Sequence, residues 1–435
     1  MARTRKFQIQ LKGKAAKIAT FSFAFCLILG AIGCALISRG SGPEPTMPDA
    51  DAFPHALDEL VAIEGWVPYW SNEAAIAKQA KDAGFTDLMF FHGTVNDDGT
   101  LKLEDPKGLA KGLIAAEGLE TWLTVTNHGQ SLENALSDSG RIAHMKALIQ
   151  LWRDSGCDHL DLDYEGLDLI EIRQLESMID PLAEALPGDA QLSFTLQPCD
   201  ENYRPTQKTT YWRMLENDNL HTLRFMAYDY HWKGSLPGAL CPMPSFMRLM
   251  AAHEKYHDKV CMALPLYGYN WRRPNDTTVP KGKSVIMSDV AGIEGQAWWM
   301  IEDQEVAIKT PQGHWIAAPS LTAIHARTQA MMNRGVGRVA FWQLGCGELA
   351  RVAEACQRAD NPPPELRSVQ VISGWEKWLL EYKANVCKKV TAKPGDSLAS
   401  IGEKYNVPRW KMNRFNENLV ATRIDGQTVY VPEHP

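Results

Sequence analysis

The chain has 435 residues, 45% of them hydrophobic and 22% charged, enough ordinary globular material for one large domain and a smaller one. Six of its 45 basic residues and none of its 52 acidic ones fall in the first 17, so the rest carries 39 basic against 52 acidic residues, a net of −13. A body so acidic argues against nucleic acid as the partner.

Residues 1–17, with Arg3, Arg5, Lys6, Lys12, Lys14 and Lys17, read as a basic cytoplasmic segment. Ile18–Ile37 follows as an uncharged run of the length a helix needs to cross a bilayer. The basic flank on the cytosolic side places everything after it outside. The run is read as an uncleaved transmembrane signal anchor, with lipoprotein-type cleavage at Ala31-Ile32-Gly33-Cys34 as the alternative. Residues 38–60 form a linker whose Ser38–Pro54 part, with Gly-Ser-Gly and four prolines, has the composition of a flexible tether.

Strand-like and helix-like stretches then alternate. Ile63–Trp70, Asp87–His92 and Glu120–Asn127 read as strands, and Glu73–Gly84, Leu109–Glu117 and Ile142–Ser155 as helices. Next comes Cys157–Gly166, in which Asp161, Asp163 and Glu165 alternate with Leu160, Leu162 and Tyr164. That period of two puts three carboxylates on one face of a strand, roughly 7 Å apart. Acids so close repel unless one takes a proton, and a raised pKa suits a general acid. A solvated edge-strand face is the other reading of the alternation alone.

Further strands are expected at Gln191–Gln197, Thr222–Tyr230, Lys259–Tyr267 and Gly337–Gln343. Eight strands separated by helices predict an α/β fold, a (β/α)8 barrel over residues 61–358. Barrel active sites lie at the C-terminal strand ends. Glu165 is placed at the end of the fourth strand, Tyr228 and Asp229 at the sixth, Tyr267 at the seventh and Trp342 at the eighth. Arg272–Pro319 is too long for a plain loop and suggests a small inserted sub-structure after strand seven. Residues 359–385 hold Asn361-Pro362-Pro363-Pro364 and a short amphipathic helix, Trp375–Ala384. Seven cysteines lie outside the anchor without CxxC or metal-ligand spacing, so neither a structural zinc nor a disulfide is assigned.

Asp158-His-Leu-Asp161-Leu-Asp163-Tyr-Glu165 resembles the Asp-Gly-x-Asp-x-Asp-x-Glu signature of family 18 glycoside hydrolases, the chitinase-like enzymes, with His159 where the family usually has Gly. In the same order, Met226-Ala-Tyr228-Asp229 resembles the family's Met-x-Tyr-Asp, Pro265-Leu-Tyr267-Gly268 its Pro-x-Tyr-Gly, and Phe341-Trp342 its final-strand Trp. Residues 386–435, through Pro394-Gly395-Asp396-Ser397-Leu398, Tyr405-Asn406-Val407-Pro408 and Gly426-Gln427, resemble a LysM module, a βααβ fold that binds N-acetylglucosamine glycans.

The family resemblance implies a substrate-assisted route, which suits acids that come from one strand on one side of the bond. Glu165 would be the general acid, Asp163 would hold the acetamide N–H, and Asp161 would share a proton with Asp163. Tyr228 would donate to the acetamide carbonyl, Trp342 would floor the sugar, and Asp229, Met226, Tyr267 and Tyr69 would line the pocket. No step calls for a metal or organic cofactor. The implied partner is an N-acetylglucosamine-containing polysaccharide. The segments Tyr228–Gly238, Tyr267–Trp271 and Trp342–Gly345 look most like the bacterial spore-cortex-lysin branch. That likeness points to peptidoglycan and the cell envelope. Chitin, an N-glycan core, or a non-catalytic chitinase-like lectin are the alternatives.

Overall fold

Alternation along the strands decides the architecture. In chain order the first eight are β1 (Ala62–Pro68), β2 (Asp87–Val95), β3 (Leu101–Leu103), β4 (Glu120–Thr126), β5 (His159–Asp163), β6 (Leu192–Leu196), β7 (Thr222–Met226) and β8 (Val260–Pro265). A second run comprises β9 (Tyr267–Trp271), β10 (Lys283–Ile286), β11 (Gln296–Met300), β12 (Glu305–Lys309) and β13 (Trp315–Ala318). Then β14 (Arg338–Trp342) pairs in parallel with both β8 and β1, and β1 pairs with β2. The eight parallel strands β1, β2, β4, β5, β6, β7, β8 and β14 therefore close on themselves as a (β/α)8 barrel, with β3 added antiparallel to β2.

This computed structural model describes residues 56–96, 98–197, 211–271, 283–358, 370–372, 383, 387–416, 419 and 424–432. The expected basic segment, anchor, tether and proline stretch, and all of the Trp375–Ala384 helix except Lys383, lie outside the described residues. Among the described residues no helix is long and apolar enough to cross a membrane.

Outward-facing strand residues such as Leu88, Phe90, Leu160, Leu162, Phe194 and Phe341 are fully buried in the main apolar core. Helices α1 (Glu73–Ala83), α2 (Pro106–Ala115), α3 (Arg141–Ser155), α4 (Leu169–Glu176), α5 (Ile179–Ala185), α6 (Tyr211–Glu216), α7 (Met243–Ala252), α8 (Leu321–Asn333) and α9 (Leu349–Cys356) contribute to that layer. α3 ends at Gly156, whose φ of 75° is the left-handed turn that releases the chain into β5. α4 begins with a capping box between Asp168 and Glu171, three residues after Glu165.

The inward-facing residues differ in kind. One apolar cluster, Trp66, Met89, Phe91, Trp122, Ala263 and Ala340, fills part of the barrel. The rest is polar: Glu64, Asp161, Ser193, Thr124, Thr195 and Arg224 are all buried. His159, at the position where the family it resembles usually has Gly, points inward, packs tilted against Trp122 with ring centroids 4.4 Å apart, and lies 2.8 Å from Glu120 through Nε2. It fills the N-terminal end of the barrel.

Three expected strands differ in extent. The sixth barrel strand stops at Met226, because Asp229 takes a left-handed φ of 58° that a continuing strand does not allow. The acidic strand stops at Asp163, leaving Glu165 in the turn that follows. The seventh is split at Leu266, whose N–H turns to the Trp342 carbonyl, and Tyr267 opens β9 of a different sheet. That sheet runs β10-β9-β13-β12-β11-β15, where β15 (Gln370–Ile372) lies parallel to β11.

Arg327 on α8 fastens the insertion to the barrel. Its guanidinium donates to the carbonyls of Asp303, Gln304 and Cys241 and to the Glu305 carboxylate, which itself accepts from the Leu240 and Cys241 N–H groups at 2.9 and 2.7 Å. Cys157, Cys241, Cys261, Cys346 and Cys356 are buried free thiols, and Cys387 is buried as well.

The C-terminal segment folds as β16 (Cys387–Thr391), α10 (Leu398–Lys404), α11 (Arg409–Phe415) and β17 (Thr428–Pro432), with β16 and β17 antiparallel. It has its own small core of Ile401, Met412, Ile424, Val429 and Val431. Asn416 locks α11 to β17, accepting the Tyr430 N–H at 2.7 Å and donating to the Tyr430 carbonyl at 2.8 Å.

Candidate active site

The pleat of β5 puts Asp161 and Asp163 on the inner face of the barrel, one step apart, and Asp163 is opposite Thr126 of β4. Beyond the strand end a side chain holds the chain in register. Asn127 donates to the Glu165 carbonyl and accepts from the Glu165 N–H, both at 2.9 Å, so Glu165 leaves β5 in a fixed direction. Gly166, with φ of 74°, then turns the chain away.

The carboxylates in and around this mouth are not equivalent. Asp161 is fully buried and accepts four donor groups: Ser193 Oγ at 2.8 Å, Thr124 Oγ1 at 3.0 Å, Thr195 Oγ1 at 3.1 and 3.2 Å, and Arg224 Nη1 at 3.2 Å. Asp229 accepts Tyr267 Oη at 2.6 Å and Tyr269 Oη at 3.0 Å, one on each oxygen. Asp163, 5% exposed, has an Oδ1 with no hydrogen-bond partner among the described residues. Half-buried Glu165 has no side-chain partner among them either.

Electrostatics follows this division. Burial first, then the charges of Glu165 and Asp161, push the Asp163 carboxyl well above the usual carboxylate range, against the pull of the Thr126 hydroxyl. Glu165 is raised by burial and by the charge of Asp229. Burial lifts Asp229 to about 6, opposed by the two tyrosine hydroxyls. Tyr228 is raised well above its ordinary value, by burial and then by Asp163, Glu165 and Asp229, so it faces all three acids as a neutral hydroxyl donor.

Of the residues singled out from sequence, Asp161, Asp163, Glu165, Tyr228, Asp229 and Tyr267 converge at the C-terminal end of the barrel. Tyr228 and Trp342 both rest on the inner apolar cluster, and Tyr228 meets Tyr267 edge-on at 6.3 Å. Met226, 7% exposed, sits at the end of β7. Tyr69 follows β1 and stands edge-on to Trp70 at 4.8 Å, on the side of the mouth where Trp342 meets Trp66, Trp70 and Phe91.

Sequence reasoning did not reach Asn127, Tyr269, Arg224 or Trp70. Arg224 carried a usable signal, a lone charge at an inward position of the strand Thr-Leu-Arg-Phe-Met. Trp70, 51% exposed beside Trp342, had one in its adjacency to Tyr69. Tyr269 had one in its place two residues after Tyr267, on the same face of a strand, whereas Asn127 had none.

No family model matches the chain, and no curated protein matches it in sequence. In structure it is similar to the spore cortex-lytic enzyme SleL of Bacillus cereus, at 17% identity over 69% of this chain and 75% of that one, with a TM-score of 0.58. It is also similar to a family 18 chitinase of Cycas revoluta solved with allosamidin, at 16% identity over 68% of this chain and 99% of that one, TM-score 0.58. A chitinase-like agglutinin of Robinia pseudoacacia superposes with 17% identity over 67% of this chain and 99% of that one, TM-score 0.56. The fold is thus that of the family 18 chitinase-like barrel.

Proposed function

We propose that this chain is a retaining glycoside hydrolase that cuts the β-1,4 bond after N-acetylglucosamine in peptidoglycan, with the substrate's own 2-acetamido group as nucleophile. The observation that carries the reading is the division among the four acids. Asp161 and Asp229 already spend their oxygens on protein donors, while Asp163 Oδ1 and the Glu165 carboxyl do not. Glycosidases ordinarily need a second carboxylate as nucleophile or base across the sugar. Asp229, the other acid at the mouth, is held by two tyrosine hydroxyls, which favours a nucleophile supplied by the substrate.

Protonated Glu165 gives its proton to the leaving oxygen as the acetamide carbonyl oxygen bonds to C1 and the C1–O bond breaks. Asp163 Oδ1 accepts the acetamide N–H, aligning the group and stabilising the positive charge it acquires. Tyr228 donates its hydroxyl to the acetamide oxygen, and Trp342 supports the sugar face. Glu165, now a carboxylate, takes a proton from water as that water adds to C1 and reopens the ring. Two inversions leave the configuration retained.

The substrate class draws support from two further features. The βααβ module with Gly395-Asp396-Ser397-Leu398 is read as the glycan-binding LysM partner of the barrel, and the uncharged run Ile18–Ile37 as the anchor that keeps both beside the wall of a bacterial envelope. SleL, named as a spore cortex-lytic enzyme, shares the barrel fold.

A substrate with the acetyl group removed from the sugar at the cut tests the nucleophile. The purified chain is expected to cleave an N-acetylated oligosaccharide and to cleave the deacetylated one slower by on the order of 10³-fold or more, while NMR of the first product shows the β-anomer. Equal rates on both, or an α-anomer, would count against the acetamide route.

A further inference from the structure

Beneath the acids lies a charged network that the proposed reaction does not use. Arg224 and Glu64 are both 0% exposed inside the barrel. Arg224 Nε donates to Glu64 Oε2 at 2.6 Å, its Nη1 donates to Asp161 Oδ1 at 3.2 Å and also to Ser193 Oγ, and Arg338 donates to Glu64 Oε1 at 3.3 Å. The Arg224 guanidinium also lies 4.7 Å over the Trp122 ring. A guanidinium this deep is costly unless charged partners surround it. Here Glu64 clamps it from β1, its Nη1 reaches Asp161 of the acid strand, and its Nη2 has no hydrogen-bond partner among the described residues.

Resting on the reading of the site just given, we infer that Arg224 is a positioning residue for the cleavage. With Ser193, Thr195 and Thr124 it holds both oxygens of Asp161 and so fixes that side chain beneath Asp163. The acid proton then stays with Asp163 and Glu165, where the leaving oxygen arrives.

The charges around this centre are these. Asp163 lies above it on the acid strand, Glu165 in the turn that follows, and Tyr228 and Asp229 beyond β7. Glu64 of β1, Asp87 of β2, Cys261 of β8 and Arg338 of β14 surround Arg224, with His159 and His221 toward the N-terminal end. The sign of the effect follows. Removing a cation makes every neighbouring carboxyl bind its proton more tightly, so the trio loses its last proton at higher pH. Asp161 also loses the guanidinium that anchors it, so the acids above it lose their alignment and turnover falls.

The test uses the full chain with an N-acetylated chito-oligosaccharide, comparing wild type with Arg224→Gln, Arg224→Lys, Glu64→Gln and Glu165→Gln. Arg224→Gln is expected to lower kcat by about 10-fold or more with KM within a few-fold, and to move the basic limb of the kcat profile upward. Arg224→Lys keeps the charge and should keep the limb near its wild-type position. Glu64→Gln removes an anion and should move the limb downward, a reading that survives if Arg224→Gln does not fold. Unmoved limbs in both Arg224→Gln and Glu64→Gln, with Glu165→Gln inactive, would overturn the role of Arg224 and leave the site assignment standing. Full activity in Glu165→Gln, or a wild type that cleaves nothing, would overturn both.

Discussion

Glu165→Gln is expected to abolish hydrolysis, with a loss on the order of 10⁴-fold, and to leave affinity for an N-acetylglucosamine oligosaccharide within a few-fold. The Asn127 clamp grips the Glu165 backbone rather than its side chain, so the amide keeps the position and loses only the proton. Burial and the Asp229 charge raise the Glu165 carboxyl, which is how a carboxylic acid remains protonated toward neutral pH. The same two causes set a basic limb in the activity profile: turnover should decline as pH rises through that raised value. Kinetics with a labelled oligosaccharide, paired with calorimetric binding to the variant, separates loss of chemistry from loss of binding. A variant with wild-type turnover would end the assignment of the acid.

The second large effect falls on Asp163. Asp163→Asn should lower kcat by on the order of 10²-fold or more, because an amide in a buried site stabilises a developing positive charge far less than a carboxylate does. It should also move the basic limb of the remaining activity to lower pH. Loss of an anion beside Glu165 makes Glu165 release its proton more readily, so the protonated form is lost sooner as pH rises. A limb that moves upward, or a kcat within a few-fold of wild type, would contradict the role given to Asp163.

What the sequence conveyed of this site tracks how local each cause is. The acidic alternation was legible because the pleat of a strand enforces a period of two on whatever residues occupy it, and Asp161 and Asp163 obey it. The barrel was legible for the same reason, since eight apolar runs separated by helical stretches allow few other closures. Where the strands stop was not. Tyr228 and Asp229 continue an apolar and aromatic pattern past Met226, and nothing in the letter Asp announces the left-handed φ of 58° found there. Contacts between distant strands were out of reach as well. Asn127 meets Glu165 across 38 residues, and Arg224 meets Glu64 across 160, so no spacing rule on one element could link them. The insertion showed itself through the length of Arg272–Pro319, whereas the pairing of β15 with β11 joins segments some 70 residues apart that share no pattern.

The layering inside the barrel gives the polar residues a common logic. Arg224 with Glu64 forms a charged floor, Asp161 held by three hydroxyls rests on it, and Asp163 Oδ1 and the Glu165 carboxyl stand above without side-chain partners among the described residues. Each step toward the mouth leaves the acids with fewer protein partners. Preorganisation of this kind places the cost of burying charge in the folding of the barrel rather than in the reaction.

The measurement closest to the central claim is mass spectrometry of the products released from purified peptidoglycan and, separately, from chitin oligosaccharides by the full chain. Muropeptides that end in reducing N-acetylglucosamine are the predicted result. Cleavage of chitin oligosaccharides with intact peptidoglycan would contradict the wall assignment, and the absence of cleavage from both would contradict the reading of the barrel as a hydrolase.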